Sequence, residues 1–282
     1  MQTIPPVCYQ LNKPVYLDES TEYVSKIIIR PQSGSRDLNN SGVIILLKEA
    51  DNKCIRLYKA RINATLIYKT QKPAGTDLEA AKITLIMNAL DHLFSNFTLK
   101  LEGKIVDDVS NPGTINQMYD IVRYGKTYSD LNECYVLDAG DGKAENNGWK
   151  IRMDHYNYDV ANAATYREVE LSRSLTSYSG FCELDRLIQN LQIEVNLTRT
   201  DKYKDAVFGE ATSDTEGSQI LQSISLELPV VKPNDDMLIH FNKLIKDTKK
   251  FDCYYNRRNS FYYAMNSQEA FINLGSRQNP PQ

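Results

Sequence analysis

The sequence has no apolar run near the ~20 residues that a membrane-crossing helix needs. Its longest, Val43-Ile44-Ile45-Leu46-Leu47, is the length of a strand. An excess of one charge is missing too: 33 Lys and Arg face 36 Asp and Glu, a formal net charge of -3, with no basic tail or stripe. A free-standing nucleic-acid binder normally carries such a stripe, so direct nucleic-acid binding is not expected. The opening residues, Met1-Gln2-Thr3-Ile4-Pro5-Pro6, offer neither a basic n-region nor an apolar h-region, and no secretory signal is read there. Cysteine is sparse and scattered: Cys8, Cys54, Cys134, Cys182 and Cys253 are odd in number and show no metal-type spacing. Reduced thiols in a protein made inside a cell are expected, rather than a disulfide framework. The sequons at Asn39, Asn63, Asn96 and Asn196 agree with an unglycosylated product, because Asn63 and Asn196 fall inside strongly patterned strands.

Signatures of chemistry are equally thin. His92, His155 and His240 have no Cys, His or carboxylate at ligand spacing on a shared face, so they are read as helix or loop surface residues and not as zinc ligands. Gly125-Lys126-Thr127 looks like the end of a phosphate-binding loop, but Asp120 stands five positions earlier, where that motif needs glycine. It is read as a helix stop. In Asp138-Ala139-Gly140-Asp141-Gly142, Gly140 interrupts the alternating oxygen ligands of a calcium loop. The carboxylate pairs Asp107-Asp108 and Asp235-Asp236 are read as capping and solvation. No G-x-S-x-G nucleophile motif occurs. No residue is therefore nominated as catalytic, cofactor-binding or metal-ligating, no cofactor is expected, and the chain is not read as an enzyme.

What the sequence does have is period-two alternation. Leu191, Ile193, Val195 and Leu197 alternate with Gln192, Glu194, Asn196 and Thr198. Successive strand side chains point to opposite faces, so this is one buried face and one wet face. The pattern recurs over Arg61–Tyr68, Phe97–Leu101, Trp149–Met153 and Ile224–Leu228. Turn residues separate the runs. Glu102-Gly103 reads as a tight hairpin, and Asp51-Asn52 is expected to join Val43–Leu47 to Cys54–Tyr58 in the same way. Asp107–Gly113 and Asp138–Gly148 read as longer loops. Helical patterns are few: Thr84 to Phe94; Thr114 to Tyr124, with Ile115, Met118, Ile121 and Val122 on its apolar side; and a helix opened by Pro233-Asn234, acidic first and basic last. Phe251–Tyr255 and Phe261–Met265 read as further strands. Eighteen tyrosines, paired at Tyr254-Tyr255 and Tyr262-Tyr263, suit either strands or protein interfaces. Many short strands with few connecting helices predict an all-β fold, an antiparallel jelly-roll β-sandwich.

Several local strings, in this order, resemble the double jelly-roll major capsid (hexon-like) proteins of Polinton/Maverick elements and adintoviruses. They are Asn88-Ala89-Leu90-Asp91-His92-Leu93-Phe94-Ser95 with the strand Phe97–Leu101 and the turn Glu102-Gly103; Tyr119 to Lys126, ending Arg123-Tyr124-Gly125-Lys126; Leu184-Asp185-Arg186 through Leu191–Arg199 to Asp201; and Ser267-Gln268-Glu269 with Leu274-Gly275. The resemblance implies an N-terminal jelly roll over 1–231, a helical connector over 232–250 and the start of a second, incomplete jelly roll over 251–282. It also implies a homotrimeric capsomer meeting neighbouring capsomers and a penton-type capsid protein, in a virion assembled inside the host cell, in cytoplasm or nucleus. The family continues past the point where this sequence stops at Gln282, so the segment from Phe251 is expected to pack poorly or to dock on the first domain. The runner-up is a β-sandwich module that binds carbohydrate or a receptor through the Asp107–Gly113 and Asp138–Gly148 loops; a domesticated, non-assembling copy is a further alternative.

Overall fold

The computed structural model describes residues 21–32, 38, 42–51, 53–71, 83–86, 88–123, 167–200, 206–209, 216–247, 253–258 and 260. Twelve strands run through them: β1 (Thr21–Ile29), β2 (Val43–Lys48), β3 (Cys54–Arg56), β4 (Arg61–Gln71), β5 (Ile83–Leu85), β6 (Phe94–Leu101), β7 (Lys104–Ser110), β8 (Arg167–Ser174), β9 (Leu187–Gln189), β10 (Ile193–Arg199), β11 (Val207–Gly209) and β12 (Glu216–Pro233). The helices are α1 (Pro112–Arg123), the single turn α2 (Leu175–Tyr178) and α3 (Asp235–Asp247). All pairings are antiparallel, as the alternation requires.

The strands form two facing sheets and a small ribbon of β5 with β11. The smaller sheet has the order β2-β10-β6-β7. The larger is built around β12, which carries β1 on one flank. On its other flank β4 and β3 lie end to end, Glu227 opposite Arg61 and Val230 opposite Ile55. A 3-10 turn at Leu57–Lys59 interrupts them. β8 and β9 repeat the arrangement outside β4 and β3. This is an antiparallel jelly-roll sandwich.

Alternation explains which residues meet between the sheets. Ile193, Val195 and Leu197 of β10, Phe97 and Leu99 of β6, and Ile44 and Leu46 of β2 are buried. They face Ile62, Ala64 and Leu66 of β4 and Leu226, Leu228 and Val230 of β12. Each fully buried aliphatic or aromatic side chain contributes about 1.5–3 kcal/mol. In β12 a bulge after Leu221 inserts Gln222, so that the inward series resumes at Ile224 without flipping the strand. On the outer side Lys100 pairs with Glu194 directly across the β6–β10 ladder at 2.8 Å, which helps hold the register.

Four local expectations are corrected. The segment expected as a helix over 84–94 is the strand β5 followed by turns and a 3-10 turn at Asp91–Leu93. Leu85, Ala89, Leu90 and Leu93 are all buried, which imitates a helical stripe, but Asn88 takes φ 57° and breaks the run. Asp51-Asn52 does not close a hairpin, because β2 and β3 belong to different sheets; Asp51 instead accepts from the Lys48 ammonium at 2.8 Å. Asp107–Gly113 is not a loop: Asp107–Ser110 is the end of β7 and Pro112-Gly113 starts α1. The described residues from 253 to 258 lie in no strand.

Other expectations hold. Glu102 and Gly103 both take positive φ, 48° and 72°, as a two-residue hairpin between twisted strands requires. Asn234 opens α3, its side-chain oxygen accepting the Met237 N–H at 2.9 Å. Trp149–Met153, Asp138–Gly148, Gly125-Lys126-Thr127, His155 and the strand expected over 261–265 lie outside the described residues.

Candidate functional site

At the side of the sandwich where β8 ends, the interior turns polar. Val169, Leu171 and Arg173 take successive inward positions on β8. The third is an arginine because two carboxylates wait for it. Arg173 Nε donates to Asp91 Oδ2 at 3.0 Å, and its Nη2 pairs with Asp120. Each carboxylate also receives an amide from the other's segment. Asn88 Nδ2 donates to Asp120 at 2.8 Å, and Asn116 Nδ2 donates to Asp91 at 3.0 Å. The turn before β6, helix α1 and strand β8 are thus laced together by five buried polar side chains. Burial disfavours the Arg173 charge, but Asp91 and Asp120 outweigh it and raise the pKa. Burial pushes the Asp120 carboxyl up, against the pull of Arg173.

This cluster shifts the buried face of α1 away from part of the expected one. Gly113, Asn116 and Asp120 lie on the buried side, whereas Met118 and Val122 are 67% and 89% exposed. Of the expected apolar stripe, Met118 and Val122 face outward, whereas Ile115 packs against the core. His92, expected at the surface, is half-buried with its ring against Gly113. His240 is exposed.

Next to the cluster, residues 253–258 and 260 lie as a strap across the edge of the smaller sheet, where β7 is the last strand. Tyr255 Oη and Arg257 Nη2 both donate to the Val106 carbonyl, at 2.6 and 2.5 Å. Val106 is the extra residue of a bulge, since Leu99 pairs with Asp107 and Lys100 with Ile105. Ser260 Oγ donates to the Ser110 carbonyl at 2.9 Å. Arg258 reaches the Ser177 carbonyl at 2.7 Å and Glu183 at 2.6 Å, with its guanidinium 3.8 Å above the Tyr119 ring. The Phe181 and Tyr255 rings meet edge to face at 5.4 Å.

The pair Asp107-Asp108, expected to be solvated, is split by the strand's alternation. Asp108 is exposed, but Asp107 is buried and accepts the Ser179 hydroxyl at 2.8 Å. Burial raises the Asp107 pKa, opposed by Ser179 and by the nearby Arg257. The corner that receives the strap therefore presents Asp107, Glu183 and several backbone carbonyls, and the strap brings two arginines to it.

The outer face of the larger sheet carries a shallow polar depression, floored by Asn63, Thr65, Ser172, Ser223 and Ser225. Its polar groups engage each other: Lys26 with Glu227 at 2.6 Å, Asn63 with Glu227 at 3.2 Å, and Arg61 with Ser172 at 2.6 Å. No aromatic ring lines it, so the stacking surface that a sugar ring would use is missing there. Among the described residues no group of three or more His, Cys, Asp or Glu side chains is placed to hold a metal. Among those residues no helix is long and apolar enough to cross a membrane. None of these features was legible as a site in the sequence; the signal that existed was the i, i+4 spacing of the polar residues Asn116 and Asp120 on α1.

No protein-family model and no curated protein matches the sequence. Solved structures do match the fold. A chain of the Sputnik virophage superposes with a TM-score of 0.53 at 10% identity, over 84% of this chain and 53% of that one. The mavirus major capsid protein gives a TM-score of 0.49 at 14% identity, over 82% of this chain and 52% of that one. The chain thus spans about half the length of these solved chains. Its likeness in fold to viral jelly-roll capsid proteins, expected from the local strings, holds.

Proposed function

We propose that this chain is a structural capsid protein, supplying one jelly roll of a double jelly-roll subunit in the shell of a Polinton/adintovirus-like virus. The observation that carries the reading is the match to the Sputnik virophage chain, which takes in 84% of this chain but 53% of that one. One roll of a two-roll subunit fits those shares. In this reading 1–231 is the first roll, 232–250 the connector, in which α3 lies, and 251–282 the beginning of the second. The subunits form homotrimers, the trimers tile an icosahedral shell, and a penton-type protein closes its vertices. A rigid sandwich suits this task, because shells need repeated shapes whose contacts do not deform. Its place is the virion, assembled in the host cell.

Sedimentation velocity of the purified chain tests the homotrimer: a discrete trimer, or larger assemblies built from it, is expected. A monomer at every concentration overturns it.

A further inference from the structure

Strand β7 ends the smaller sheet, and an uncovered strand edge offers its backbone to any other strand. Proteins block such edges by bulges, charges or covering segments. Here all three coincide. The bulge at Val106 interrupts the ladder. The Val106 and Ser110 carbonyls, four positions apart on β7, are both taken by side chains of the strap. Arg257 then places positive charge over the edge.

The seat is shaped for that segment. Gly180 passes so close to the Asn256 carbonyl that a Cβ at position 180 would collide with it. Arg258 satisfies a backbone carbonyl at the end of α2 and a carboxylate, and stacks on a ring of α1, so it ties three elements to the strap. A segment lying there by chance would not need a glycine beneath it and four side chains bonded below it.

We propose that residues 253–258 and 260 are an edge guard: the strap occupies the Val106 and Ser110 carbonyls of β7 and prevents a strand of a second copy from adding to that edge. The partner excluded is another copy of this chain, whose strand would add antiparallel or parallel to β7 by main-chain hydrogen bonds. This inference does not rest on the capsid reading, because it concerns what β7 is kept from binding.

The full-length chain tests it, with Tyr255→Ala and Arg258→Ala combined and, as a milder release that leaves α1 and Glu183 untouched, Tyr255→Phe with Arg257→Ala. Hydrogen exchange and sedimentation are read on both variants and on the parent. The expected result is loss of protection at 253–260, self-association stronger than the parent's, and protection of 104–110 that rises with protein concentration. A strap that keeps its protection in the milder variant overturns the proposal. So does a released strap that leaves association at the parent's level.

Discussion

Arg173 Nε lies 3.0 Å from Asp91 Oδ2 inside the sandwich, and both side chains are almost wholly shielded from solvent. With Asp120 in the same cluster, one guanidinium serves two carboxylates. Removing one member of such a group leaves the others charged and buried, which costs more than the intact group contributes. Arg173→Ala should therefore lower stability by about 3–5 kcal/mol in urea unfolding. Adding Asp120→Asn should recover part of the loss, since it removes one of the two stranded carboxylates.

Val195 is fully buried at the centre of β10, between β2 and β6. Val195→Asp places an unpaired charge in that interior and should cost several kcal/mol, enough to leave little soluble folded protein. A soluble variant that melts with the parent would refute this placement of β10.

Asp107 has a folded-state pKa raised above its ordinary value, chiefly by burial. Its folded form holds a proton that the unfolded chain releases earlier. The resulting stability is fully present below the unfolded Asp value of about 3.9 and is lost as pH rises through the elevated folded value. Asp107→Asn should remove that part of the pH dependence, flattening the melting temperature over this window. An unchanged slope in the variant contradicts the burial of this carboxyl.

How far could the fold be read from the residues alone? Strands β4, β6, β10 and the middle of β12 were legible, because each buries one face and wets the other. The α1 helix was legible in extent, but its face was not. Asp120 goes inward to meet Arg173, 53 residues further on, and Asn116 to meet Asp91, 25 residues earlier. Periodicity within one segment carries no record of a partner that distant. The 84–94 segment failed for the opposite reason. Leu85, Ala89, Leu90 and Leu93 are all buried, so their spacing imitated a helix, and the positive φ of Asn88 decided the outcome. The strap was invisible too, because most of its hydrogen bonds run from side chains to backbone carbonyls, which have no sequence signature.

Gly113, in the first turn of α1, leaves no room for a side chain: a Cβ there would stand 2.5 Å from His92 Cγ and 2.8 Å from His92 Cα. Gly113→Ala should lower the melting temperature. His92→Ala in the same chain should restore it incompletely, because the backbone contact remains. Full rescue would show that the ring alone sets the spacing.

Thiol reactivity separates the cysteines by environment. Cys54 and Cys182 are buried, and burial raises the pKa of both thiols, most strongly for Cys182, while Cys253 is exposed. Alkylation of the native protein followed by peptide mapping should modify Cys253 well before Cys54 or Cys182. Equal rates at the three would contradict the packing around β3 and α2.

The capsid reading stands or falls on assembly, and electron microscopy of the purified chain addresses it most directly. The account predicts particles or flat tiles with three-fold symmetry and a pseudo-hexagonal outline. A field of isolated, asymmetric single sandwiches at every concentration would contradict it.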